Sequence, residues 1–325
     1  VPPPLGGWDR DISSSEELLQ YATAYDTMLG AGWDFGADRA AIEENIVDLA
    51  AEMYENFSNP DTVAGTTRLH QNNHRAKSGA AMAVAAIAVA EYTPPPGTDP
   101  RGVRDPALWL EYGLDQVDLV MRHVLVTGDG AYGEGPFYLR YASQNLIPFL
   151  RAWDRLVDGA DWLARGVVVP SLWRHPLWQR TQRWMLDMTL PDGSMAPIDD
   201  GNPGRSHYFG ILPPTPWSGA FAWRWANAPQ PLDTDGNVDL AADAIVLFDD
   251  GFAAAPPDGP ATSFWFDGGN AIFRSDWSAD AVVANVQAEH DTASEFGRDR
   301  DGLGVSPQSH ERAEPGAFLM HAFGE

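Results

Sequence analysis

The sequence predicts an α+β multidomain protein, with a helical domain over residues 1–230 and an antiparallel β domain over residues 231–325. Three observations carry this. Apolar residues recur at helical spacing through the first two thirds of the chain. Short runs rich in Val, Ile, Phe and Trp crowd the last third. The breaker AAPPDGPA, residues 254–261, lies among them where the period has changed. A block of helices followed by a block of strands indicates successive domains rather than alternating βαβ layers.

The elements follow in order. Ser13-Ser14-Ser15-Glu16-Glu17 reads as an N-cap signal for the run LLQYATAYDTMLGAG, which ends at glycine. Asp38 is expected to cap AAIEENIVDLAAEMYENF, where Ile42, Ile46, Leu49, Ala50 and Met53 share one helical face. The segment HQNNHRAKSGAAMAVAAIAVAEY stops at Pro94-Pro95-Pro96-Gly97, and its small residues suit a helix buried between neighbours. Further helices are expected over 105–126, from Gly135 through DRL at 156, over 175–190 and over the tryptophan-rich 218–228. Loops with Gly, Pro and Asp join them, the pattern of an array of helical hairpins. AIVLF, TSFWF, NAIFRSDW, AVVANVQAE and GAFLMHAFG read as strands. They are few for a sandwich, so the chain is expected to be part of a longer protein.

Composition limits the function. The 325 residues carry a formal charge of −25 and no cysteine, which removes thiolate metal sites, disulfides and cysteine nucleophiles. So acidic a surface argues against broad nucleic-acid binding, which needs a basic face. No apolar run is long enough to span a membrane. The start VPPPLGG lacks methionine and reads as a processed or trimmed end. Lys77 is the only lysine, and an anionic ligand would need a local basic pocket within an acidic shell.

Three clusters could carry chemistry. The first is Asn72-Asn73-His74 with Arg75 and Lys77, where a helix turns apolar. The second is the run DGAYGEGPFYLRY, residues 129–141, containing Glu134, Tyr138 and Tyr141. The third is Ser309-His310-Glu311-Arg312-Ala313-Glu314-Pro315-Gly316-Ala317-Phe318. Each has a plain structural counterpart. Asn73 could cap a helix and His74 could be a satisfied core histidine. Tyr138 and Tyr141 could be a packing pair, Arg75 and Lys77 a solvated helix face, and Glu134 an acceptor closing its loop.

Taken together and in this order, the motifs resemble the heparinase II/III-like polysaccharide lyases, a superfamily that includes alginate lyases and uronyl epimerases. The resemblance covers about residue 15 to the end. It implies an α/α toroid, an incomplete barrel of helical hairpins, followed by an antiparallel β-sandwich truncated in this chain. It implies a secreted or periplasmic enzyme that needs no cofactor and acts on an anionic polysaccharide or oligosaccharide.

The implied reaction is β-elimination next to a uronic acid. The C5 proton is a very weak acid until the neighbouring carboxylate is neutralised by donors. Asn73 and His74 fit that task. Tyr138 matches the family's catalytic tyrosine and can move the proton from C5 or to the leaving O4. His310 would complete the site from the sheet. Arg75, Lys77, Glu134, Tyr141, Arg205, His207 and Arg312 are candidate substrate contacts.

The third motif departs from the family's pattern. Arg312 stands where a second histidine commonly helps hold a structural zinc, and arginine does not ligate zinc. Arg312 could instead pair with a carboxylate. His290 could be a metal ligand or a substrate contact. Other activities fit the same residues: a uronyl C5-epimerase, a glycoside hydrolase using carboxylates such as Glu134 and Asp199, or a polysaccharide-binding protein without turnover.

Overall fold

The computed structural model describes residues 8–58, 73–120, 128–156, 162–164, 167–169, 174–198, 201, 215–227, 251–258, 262–288 and 316–322. These form helices α1 (Trp8–Gly30), α2 (Arg39–Ser58), α3 (Asn73–Ala88), α4 (Pro106–Leu119), α5 (Gly135–Leu156), α6 (Pro176–Asp187) and α7 (Ser218–Asn227). Strands β1 (Trp162–Ala164) and β2 (Val167–Val169) pair antiparallel. Strands β3 (Ser263–Trp265), β4 (Asn270–Arg274), β5 (Val283–Gln287) and β6 (Phe318–His321) form one antiparallel sheet in chain order.

Helix α3 lies at the centre of the helical part and packs on α1, α4 and α5. Its small residues allow this. A Cβ on Gly79 would come within 2.8 Å of the Gln116 Cβ on α4, and Gly113 on α4 faces the Gly79 carbonyl just as closely. Met82, Ala83 and Ala85 are buried with Trp109, Leu146 and Phe149 in one continuous core. The expectation of an alanine-rich helix enclosed by neighbours therefore holds.

Other boundaries follow their local chemistry. Asp105 caps α4 by accepting from the Ala107 N–H at 2.9 Å, with Pro106 in the first turn. His175 does the same for α6, its Nδ1 accepting from Leu177 N at 3.2 Å. Helix α5 runs from Gly135 to Leu156 as its sequence indicates, with Pro148 inside it. Two expectations change. Helix α1 begins at Trp8, so Ser13–Ser15 lie within it rather than at its cap. There Ser15 is buried and its hydroxyl hydrogen-bonds that of Ser78 on α3 at 2.9 Å, a tertiary partner that the local cap signal does not reveal. The β1–β2 hairpin falls in a stretch with no assigned strand. AIVLF lies outside the described residues.

The sheet has two unlike faces. Trp265, Ile272 and Val283 are buried, and beside them Asn270 accepts a hydrogen bond from the Trp184 Nε1 on α6 at 3.0 Å. Asn285 donates to the Met188 sulfur at 3.4 Å. On the other face Phe264, Phe273, Phe318 and Met320 are exposed, and Phe264 meets Phe273 edge to face at 5.8 Å between ring centroids. No described helix is long and apolar enough to cross a membrane.

Candidate active site

The N-terminal turn of α3 and the loop leading into α5 form one polar corner. The carboxylate of Glu134 accepts the Asn73 backbone N–H at 2.9 Å, across 61 residues of sequence. An α-helix leaves its first N–H groups without intrahelical acceptors, and the positive end of its dipole favours an anion there. Glu134 thus caps α3 in trans. The consequence falls on the Asn73 side chain. It is fully buried, and neither its amide nitrogen nor its carbonyl oxygen has a hydrogen-bond partner among the described residues. Asn73 does not cap the helix with its own side chain.

His74 follows, half-buried, and Arg75 is buried. Lys77 sits one turn further on, with no exposure. Its ammonium donates to Gln144 Oε1 at 3.0 Å and to the Tyr141 carbonyl at 3.3 Å, and pairs with Glu16 at 3.1 Å. It also lies 3.7 Å from the Tyr141 ring centroid. Tyr141 in turn donates to Glu16 at 3.3 Å. The positive charge of Lys77 is therefore spent joining α1, α3 and α5. The plain reading of Arg75 and Lys77 as a solvated helix face is corrected: the packing of α1, α4 and α5 around α3 encloses both.

Tyr138 is half-buried near the start of α5. Its ring stands edge-on to Phe137 at 5.2 Å and to Tyr141 at 6.4 Å. The aromatic pair anticipated from sequence thus exists, and it sets the phenol on the helix that also supplies two of the Lys77 acceptors. Ahead of α5, the loop is fixed to the sheet. Asp129 Oδ2 accepts the Asp267 N–H at 2.8 Å, and Gly268 abuts Ala131 with no room for a side chain. Gly130, at φ +104°, lies against Arg180 of α6. Only glycine adopts that conformation without strain.

Tyr132 is a residue that the sequence reading passed over. Its ring is buried and its hydroxyl has no hydrogen-bond partner among the described residues. Burial, and then the charge of Glu134, push its pKa well above that of an ordinary phenol. It stays protonated and offers a donor. Its position two residues before Glu134 in DGAYGEGP was the available signal. His310, Arg312, Arg205, His207 and His290 lie outside the described residues, as does Asn72.

No family model matches the sequence, and no curated protein matches it. Solved structures do. One described as heparinase III superposes with a TM-score of 0.60 at 12% identity, over 100% of this chain and 43% of that one. Heparan sulfate lyase HepC from Pedobacter heparinus gives 0.53 at 15% identity, over 99% and 42%. A mutant of HepC gives 0.52 at 16% identity, over 99% and 42%. The chain spans about two fifths of the length of these structures. At such identities the likeness establishes a shared heparinase-like fold.

Proposed function

We propose that this chain carries the helical catalytic part of a polysaccharide lyase that cleaves a uronate-containing polymer by β-elimination. The observation that supports it most is the buried Asn73 side chain, which has no hydrogen-bond partner among the described residues, at a helix N-terminus whose own N–H is taken by Glu134. A buried amide left unbonded costs stability, so its retention calls for a ligand that bonds it. The heparinase-like fold agrees with that ligand being an acidic sugar.

The reaction runs as follows. The Asn73 amide, with His74, donates to the sugar carboxylate, so that the charge developing on C5 spreads onto oxygens already held. Tyr138 removes the C5 proton. The released electron pair forms the C4–C5 double bond as the C4–O4 bond breaks, and O4 takes its proton from Tyr138, which entered the step as the phenolate and returns the proton it removed, or from His74. His310 acts beside them, as a neutraliser of the carboxylate or as a second proton carrier. In this scheme Arg75, Arg205, His207 and Arg312 hold flanking acidic groups, Glu134 shapes the corner as a cap, and Lys77 and Tyr141 hold α5 against α3. The exposed apolar face of the β3–β6 sheet fits the inner face of a sandwich. The helical domain would end near residue 230, and the enzyme would work outside the cytoplasm.

The test is a panel of uronate polymers assayed for the ultraviolet absorbance of an unsaturated uronate. The wild type should produce it on at least one polymer, and Tyr138→Phe and His74→Ala should not. Inverted C5 stereochemistry without the chromophore would identify an epimerase instead. Saturated reducing ends would identify a hydrolase.

A further inference from the structure

Away from that corner, three arginines converge on one tryptophan. Arg183 comes from α6, Arg224 from α7 and Arg274 from the end of β4. Their guanidinium carbons lie 5.5, 5.4 and 4.5 Å from the Trp277 ring centroid. Arg183 also lies 5.0 Å from the Trp217 ring. Arg224 and Arg274 are only 4% and 5% exposed. Buried cations packed together are costly unless anions or acceptors balance them.

The balance is incomplete. Arg183 pairs with Asp187 at 3.0 Å and donates to the Asp258 carbonyl at 2.9 Å. Arg274 donates through Nη2 to the carbonyls of Asp187 and Thr189. Among the described residues its Nε and Nη1 have no acceptor, nor have Nε and Nη2 of Arg224, nor the Trp277 indole nitrogen. Asp192 and Asp276 act on Arg224 and Arg274 only through space. Asp187 is itself compromised as a counterion, because burial raises its pKa despite Arg183 and Arg274. Burial likewise lowers Arg224 to about 10 and Arg274 to about 9, the latter also repelled by Arg224.

We infer that Arg224, Arg274 and the Trp277 indole N–H form a binding site for an oxyanion of the sulfate or carboxylate class. Guanidinium forks match such groups with paired hydrogen bonds, and the indole adds a single directed donor. Arg183 flanks the site, and Asp187 holds it in place. The oxyanion is either a free ion or a group carried on an acidic oligosaccharide; the donors are the same for both.

Isothermal titration calorimetry of the whole chain tests this, with sodium sulfate and separately with a glucuronate-containing disaccharide, at ionic strength fixed with chloride. The expected result is saturable one-to-one binding of at least one probe. Sulfate alone would mark a free-ion site and the disaccharide a sugar-borne one. Arg224→Gln should weaken binding at least tenfold while its thermal midpoint stays near that of the wild type, since neither Nε nor Nη2 of Arg224 is bonded among the described residues. Trp277→Phe, which removes the indole donor and keeps an aromatic ring, should weaken it several-fold. Absence of saturable heat with both probes would overturn the inference, as would equal affinity in Arg224→Gln. No turnover is read, so the result is independent of whether Tyr138→Phe abolishes lyase activity.

Discussion

Asn73 and Lys77 lie one turn apart on α3, both buried and both polar, and they are treated in opposite ways. Lys77 has three acceptors, on α1 and α5, and an aromatic face against its ammonium. Among the described residues Asn73 has none for its side chain, although Glu134 reaches its backbone. A buried polar group with its bonds made contributes to holding the fold. One whose bonds are unmade costs about 1–3 kcal/mol and makes sense where a ligand completes it. The contrast therefore separates the part of the motif that builds the corner from the part that the proposed reaction would use.

The largest effect should come from Tyr138→Phe. Loss of a general acid or base lowers turnover by ~10²–10⁴-fold, while the Phe ring preserves the edge contacts with Phe137 and Tyr141. Unsaturated-product assays on a variant with an unchanged melting midpoint check this. Full activity would remove Tyr138 from the chemistry.

Asn73→Ala comes next. Removing one donor from a developing oxyanion costs about 10²–10³ in kcat. Stability should be unchanged or slightly higher, because no bond to a described residue is lost and an amide unbonded among them disappears. A drop in melting temperature with unaltered kcat would turn Asn73 into a structural residue and dissolve the contrast with Lys77.

Lys77→Met should show the reverse pattern. The Met stem fills similar space, but Gln144 and the Tyr141 carbonyl lose their donor and Glu16 loses its ion pair. The cost is about 2 kcal/mol of stability, read by chemical denaturation, with turnover falling only as far as α5 shifts. A large rise in KM without destabilisation would instead place the ammonium on the substrate.

Much of this was legible from sequence where the signals are local. Gly135-Pro136 opens α5, Asp105-Pro106 opens α4, and the alanine-rich run marks α3 as enclosed. The order of motifs pointed to the fold that the structural likenesses share. What was hidden is long-range. The partners of Lys77 stand at positions 16, 141 and 144, so a lone lysine beside a histidine read as a surface charge or a lure for anions. Ser15 looked like a cap because its partner, Ser78, is on another helix. The arginines around Trp277 lie on three separate elements, and no spacing rule brings them together.

The smallest effect, and the finest test, is Tyr141→Phe. The sequence admits Tyr141 as a sugar contact, whereas its hydroxyl makes a long 3.3 Å bond to Glu16 and its ring carries the Lys77 ammonium. Phenylalanine keeps the ring face, and with it most of the cation–π attraction. Stability should fall by less than about 1 kcal/mol, the size of one neutral donor to a partly solvated carboxylate. KM and kcat should both stay within about twofold of the wild type. A several-fold rise in KM at constant kcat would show uniform binding lost from a sugar that the phenol touches, and would move Tyr141 from the supporting side of α3 to the acting one.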